Sequence, residues 1–251
     1  MLNDLLLLSG NDIPFIEGSV NIHQPSIKEI GYIGEETFHM GCYLLNLSQD
    51  LIEIEDKTNL EKMSDFDILM SIINDKSMST KAQKIDIFLV LTLLFPEHEI
   101  KFSHNEILLI KRNSQGEILE QGQINKENFE TFKEIISSMF CLKKTIGNDE
   151  YNPQGEMAKK IVEKLKERKK KLAKQKNEEG QKIAIFSRYI SILCVGEGKT
   201  MQSLFDLTVY QLFDEFQRYE LKLSFDYHIQ AKMAGAKDLK DVDDWMKDIH
   251  P

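Results

Sequence analysis

The chain has 251 residues, of which 41% are hydrophobic and 29% charged, a balance that sets aside intrinsic disorder. Its formal net charge of −9 is uneven, because residues 156–176 hold ten Lys or Arg against three Glu, so an acidic body carries one basic rod. No stretch approaches the roughly 18 apolar residues of a membrane span, and MLNDLLLLSG has no basic start of a secretory signal, which makes a cytoplasmic location the expectation.

At this length two units are expected. Residues 1–26 read as irregular with short extended pieces, since Asp12-Ile13-Pro14 and Gln24-Pro25 are turn chemistry and Val20 and Ile22 alternate. From Ser26 the period changes to that of helices, with Ile27, Ile30 and Ile33 followed by Phe38, Cys42 and Leu45, broken where Gly31, Gly34 and Gly41 weaken the helix. Asp65 to Asn74 is helical and mostly buried. After a polar loop, Lys81 to Phe95 is the central helix of this unit, ended by Pro96. Glu99–Phe102, Glu106–Lys111 and Glu117–Gly122 form a small antiparallel meander, with Asn113-Ser114-Gln115-Gly116 as a hairpin loop. A helix over Asn125–Leu142, apolar at Phe129, Phe132, Ile135, Ile136, Met139 and Phe140, is the candidate cover for that meander.

Gly, Asn and Pro concentrate in IGNDEYNPQG, residues 146–155, which marks the domain boundary. The organisation is therefore an N-terminal α+β domain at 1–147, a linker and basic helix at 148–182, and a C-terminal helical domain at 183–251. Within the basic helix Met157, Ile161, Leu165 and Leu172 leave a thin apolar stripe, and Lys164, Arg168, Lys169, Lys170 and Lys171 form a basic strip. Gln181–Val195 and Thr200–Leu207 are helices. Thr208 to Gly235 is one long amphipathic helix: Val209, Leu212, Phe213, Phe216, Tyr219, Leu223, Tyr227 and Met233 share a face, Thr208 and Gln211 fit a capping box, and Gly235 is the stop. Leu239, Val242, Trp245, Met246 and Ile249 make a small amphipathic tail helix. The fold class is α+β, mainly α: a helical N-terminal unit with a β-meander, and an all-α C-terminal unit with one long amphipathic helix.

No catalytic constellation is found. Gly198-Lys199-Thr200 has the end of a phosphate-binding loop, but the Gly five positions before Gly198 is replaced by Leu193, and a loop between helices explains it. His23, His39, His98, His104, His228 and His250 lack metal-ligand spacing, so surface or cap roles account for them, and no cofactor or metal is expected. Adjacent carboxylates such as Asp214-Glu215 read as solvated helix faces. Cys42, Cys141 and Cys194, odd in number and far apart, argue for a reducing compartment and buried, inert thiols. The basic strip would attract phosphates, but it has no interleaved aromatics and sits in an acidic chain, so a charged interdomain helix is favoured over a nucleic-acid site.

Residues 183–249, IAIFSRYISILCVGEGKTMQSLFDLTVYQLFDEFQRYELKLSFDYHIQAKMAGAKDLKDVDDWMKDI, resemble tailed-bacteriophage tail proteins of the tail-assembly-chaperone and baseplate-assembly kind. The likeness lies in the short helix, the T-V-x-Q-L-F-D-E-F run and a Trp near the end, and it extends more loosely to IPFIEGSVNIHQPSIKEIGYIGEETF. The resemblance implies a non-enzymatic factor in the host cytoplasm or the virion that binds the tape-measure protein, the hub or the baseplate. Phe213, Phe216, Tyr219, Met233 and Trp245 offer the aromatic and thioether surface for such partners, although the same residues also suit a core. A structural baseplate or connector subunit, a homo-oligomer, and a nucleic-acid factor using the basic strip are the alternatives.

Overall fold

The computed structural model describes residues 3–16, 20–48, 63–75, 77, 80–142, 184–236, 244–247 and 249. The basic strip and most of the tail helix lie outside them. Met1–Leu142 and Ile185–Pro251 form one compact unit, and residues 143–183 of the other unit are outside the described set.

The chain begins with a helix, α1 (Asp4–Ser9), where irregular structure was expected. LLLL has no helical period, yet the ends are well specified. The Asn3 side chain accepts the Leu5 N–H, Asp4 stands at the positive end of the helix dipole, and Gly10 closes it at φ 70°. Then come β1 (Ile13–Ile16) and β2 (Val20–Ile22), an antiparallel pair. Ser26 and Glu29 build a capping box that starts α2 (Ile27–Ile33), and the break before α3 (Glu35–Leu45) falls on Gly34 at φ 91°. A second capping box, Ser64 with Asp67, opens α4 (Asp65–Asn74), and α5 (Lys81–Leu94) ends just before Pro96. Gly41 of α3 lies against α5 so closely that a Cβ there would stand 2.6 Å from the Asp86 carbonyl oxygen, and only a glycine permits the crossing.

The meander is present as β3 (Glu99–Phe102), β4 (Ile107–Arg112) and β5 (Ile118–Ile124), antiparallel in that order. Its inner row, Ile107, Leu109, Gly122 and Ile124, is buried. Over Gly122 the cover is the first hairpin, since a Cβ there would meet Val20 at 2.6 Å and Ile16 at 2.9 Å. The expected cover, α6 (Phe129–Met139), is turned so that Phe132 meets Phe15 of β1 and Phe95 at the end of α5. Lys133 of α6 is buried with its ammonium paired to Asp65 of α4.

The C-terminal helices are α7 (Ile185–Glu197), α8 (Met201–Phe205) and α9 (Val209–Met233). They share one core with the N-terminal elements: Phe186 of α7 packs on Phe38 of α3, and Ile190, Leu193, Val209, Leu212 and Phe216 belong to the same cluster as Leu7, Ile27 and Phe140. Backbone bonds tie the two ends of the sequence together. Ile27 N–H donates to the Leu207 carbonyl at 2.8 Å, Ser26 bridges Thr208, and Phe186 N–H donates to Glu35 at 2.9 Å. The architecture is α+β, mainly α, as its periodicities indicate.

Candidate functional site

The long helix α9 is 25 residues, about 38 Å at 1.5 Å per residue. Its start is fixed locally: the Thr208 hydroxyl accepts the Gln211 N–H at 3.3 Å, and Gln211 Oε1 accepts the Thr208 N–H at 2.9 Å. The same Gln211 amide donates through Nε2 to the Leu8 carbonyl at 2.6 Å, and the Tyr210 hydroxyl donates to Asp4 at 3.2 Å, so α1 clasps the first turn. Burial and the neighbouring Asp4 carboxylate push the Tyr210 phenol well above its ordinary value, which keeps it protonated and donating.

Further along, the inner half of α9 packs on α7. Tyr189 and Phe216 stack with ring planes 3° apart and centroids at 3.7 Å, and Phe213 meets both Phe186 and Tyr189 edge-on. Tyr219 lies over Gly196, where a Cβ would come within 2.1 Å of its hydroxyl oxygen. Beyond Tyr219 no residue of α9 is fully buried, and three large apolar side chains face solvent: Tyr227 is 62% exposed, Ile229 39% and Met233 84%. The outer half thus shows water large apolar side chains, Tyr227 in line with the face that the inner half buries and Ile229 and Met233 on another side.

Residues 174–250 match the family model of the YomV second domain, a phage-derived family. The likeness to a phage protein covers α7, α8, α9 and the tail. No curated protein matches the chain, and no solved structure does.

Within this YomV-like span the five residues expected to bind a partner occupy different settings. Phe216 is buried, Phe213 and Tyr219 are half-buried against α7, and Met233 is the most open of the five. Trp245 is half-buried, and its carbonyl accepts from Arg218 Nη1 at 2.7 Å, as the Lys247 carbonyl does at 2.8 Å, so the tail is pinned beside the middle of α9. Lys164, Arg168, Lys169, Lys170 and Lys171 lie outside the described residues. The Gly198-Lys199-Thr200 turn is occupied by its own chain: Lys199 pairs with Glu215 of α9 and with Glu197, and Thr200 caps α8. Burial works against the Lys199 ammonium, but the two carboxylates hold its pKa above the ordinary value.

A second cluster went unseen in the sequence. Asp12, Asn21 and His23 of the first hairpin face His98, Lys111 and Glu120 at the end of the three-stranded sheet, with Phe95, Pro96 and Glu97 between them, around a cleft of about 320 Å³. Lys111 and Glu120 are directly paired in the β4–β5 register, which brings together residues that no spacing could link. The imidazole of His23 is held at both nitrogens, Nδ1 by Asp12 at 2.9 Å and Nε2 by Glu29 at 3.2 Å. Burial pushes the Glu29 carboxyl up, yet the Ser26 hydroxyl and amide and the His23 ring bring it below its usual range. Lys111 bonds Glu97 at 2.5 Å and lies 3.8 Å from Glu120.

His98 has a side chain only 7% exposed, its Nε2 stands 3.7 Å from Glu120 without a hydrogen bond, and burial holds its pKa below the ordinary value. Among the described residues no group of three or more His, Cys, Asp or Glu is placed to hold a metal ion, and no helix is long and apolar enough to cross a membrane. Burial raises the Cys42 thiol well above its ordinary value and the Cys141 thiol to about 11, which leaves both protonated.

Proposed function

We propose that the chain is a non-enzymatic assembly factor of a phage tail or baseplate, which binds other tail proteins such as the tape measure or the hub through the outer half of α9. The observation that carries this reading is the contrast along that one helix. From Val209 to Tyr219 its apolar face is spent on the chain's own core, while Tyr227 carries that face into solvent and Ile229 and Met233 stand exposed on another side of the same capped helix. Exposed thioether and aromatic side chains on a preformed helix suit capture of another amphipathic helix, because the entropy of ordering the rod is already met within the fold. The likeness of residues 174–250 to a phage-derived family supports a phage setting.

The non-enzymatic part rests on how the polar cleft is wired. A general base needs a free lone pair beside a proton to take; His23 has both nitrogens engaged by carboxylates, and the unbonded Nε2 of His98 is buried beside Glu120 on a side chain only 7% exposed. The cleft is lined by no Ser, Thr or Cys, and its one lysine, Lys111, is held by Glu97 and Glu120.

The test is co-purification with candidate tail proteins, wild type against the triple variant Tyr227→Ser, Ile229→Ser, Met233→Ser. Loss of a tail protein from the variant supports the proposal; equal recovery contradicts it. Mass spectrometry of purified particles separates the alternative, because an assembly factor is missing from the finished particle whereas a baseplate or connector subunit is present in stoichiometric amount.

A further inference from the structure

We infer that the open edge of the three-stranded sheet is a self-complementary surface whose partner is β3 of a second copy of this chain. In the order β3-β4-β5, strand β3 has, among the described residues, a neighbour on one side only. Among the described residues no backbone bond beyond its pairing with β4 involves Glu99–Phe102. An unpaired strand edge is a template for another strand.

The side chains select the register. Glu99 and Lys101 point to the outer face, while Ile100 and Phe102 share the inner face with the buried Leu109 and Ile107 opposite them. Two antiparallel copies about a two-fold axis must place like faces opposite, which allows only registers that shift by two residues. Centred on Ile100, the pairing sets Glu99 against Lys101 of the second copy, twice, and Ile100 against itself. Shifted toward Phe102 it sets Lys101 against Lys101; shifted the other way, Glu99 against Glu99. Only the first register has attraction at both charged positions.

Apolar area adjoins the same edge. The Phe102 ring meets Phe88 of α5 at 6.3 Å between centroids, and Phe88 remains 42% exposed, with Ile85 one turn earlier 49% exposed. The two-fold axis brings both copies of this cluster to the same side of the joined six-stranded sheet, which adds the buried apolar surface that two short strands alone would lack.

Sedimentation of the full chain tests this. The wild type is expected to be a dimer at micromolar concentration. Lys101→Glu alone and Glu99→Lys alone should each sediment as monomers, with dissociation constants raised at least about tenfold, and their equimolar mixture should regain the dimer, since every cross-strand pair is then Glu with Lys. A wild-type monomer at the highest concentration reached, or a dimer that Lys101→Glu leaves intact, overturns the inference. Should Lys101→Glu alter the circular dichroism, the double variant Ile85→Ser, Phe88→Ser on α5 reads the same face. Loss of the dimer then supports the inference and retention overturns it.

Discussion

Gly196 and Tyr219 show how a single side chain fixes where α9 lies. The Tyr219 ring occupies the space that any Cβ at position 196 would need, so α7 and α9 approach closely only with glycine there. Gly196→Ala is expected to lower stability by about 1–3 kcal/mol through overpacking, measured by urea unfolding. Tyr219→Ala in the same chain should recover part of that loss, because the two changes share one contact.

His98 gives the fold a pH dependence whose sign follows from its burial. Its pKa in the folded chain lies below the ordinary 6.5, so the unfolded chain binds the proton more readily. Its contribution is complete above pH 6.5 and is lost as pH falls from there toward the depressed folded value. Unfolding measured between pH 8 and about pH 5 should show falling stability in the wild type and a flatter profile in His98→Gln. Asp67 acts at lower pH. The Lys126 ammonium, with the Ser64 amide and hydroxyl, holds it at about 2 against an ordinary 3.8, so its stabilisation is present above pH 3.8 and disappears as pH drops through 2. The carboxylate is largely exposed, and solvent screening keeps its ion pair below about 1 kcal/mol.

At the scale of elements, α9 is two helices in one. Its first turn is held by the Thr208 cap, the Gln211 link to Leu8 and the Tyr210 link to Asp4, and its outer half by its own backbone ladder with no fully buried side chain. Amide exchange should therefore be slowest over 209–219 and faster from Leu223 to Met233. Thr208→Ala should cost about 1 kcal/mol.

The features that were legible in the sequence are local. The Thr208–Gln211 box, the length of α9 and the three strands of the meander all follow from spacing within a few residues, whereas of the three glycines expected to break helices only Gly34 does, Gly31 and Gly41 lying inside α2 and α3. α1 did not, because a run of four leucines has no period, and what holds it in place comes from Gln211 more than 200 residues away. The periodicity of α9 gave the apolar face at Phe213, Phe216 and Tyr219, but a period says which side is apolar and not what meets it. The cleft was illegible for a related reason: Asp12, His23, His98 and Glu120 become neighbours through strand register and hairpin packing.

For the whole molecule, the consequence is that the YomV-like span is not energetically separate from the residues that precede it. Leu207 and Thr208 bond to residues 26–27, and Phe186 sits in a shared aromatic cluster with Phe38 and Phe140. Residues 185–251 expressed alone should lack a cooperative melt, since their buried face would be left to water, and should regain one when mixed with residues 1–142. The N-terminal elements then serve as the mount that orients the outer half of α9.

The most direct measurement of the proposed assembly role is site-specific photo-crosslinking during infection, with a photoreactive phenylalanine analogue at Tyr227 and, in a control, at the half-buried Tyr189. Crosslinks from position 227 to a tail protein, absent from position 189, are the predicted result. Crosslinks from position 227 to no tail protein, in cells that assemble tails normally, would contradict it.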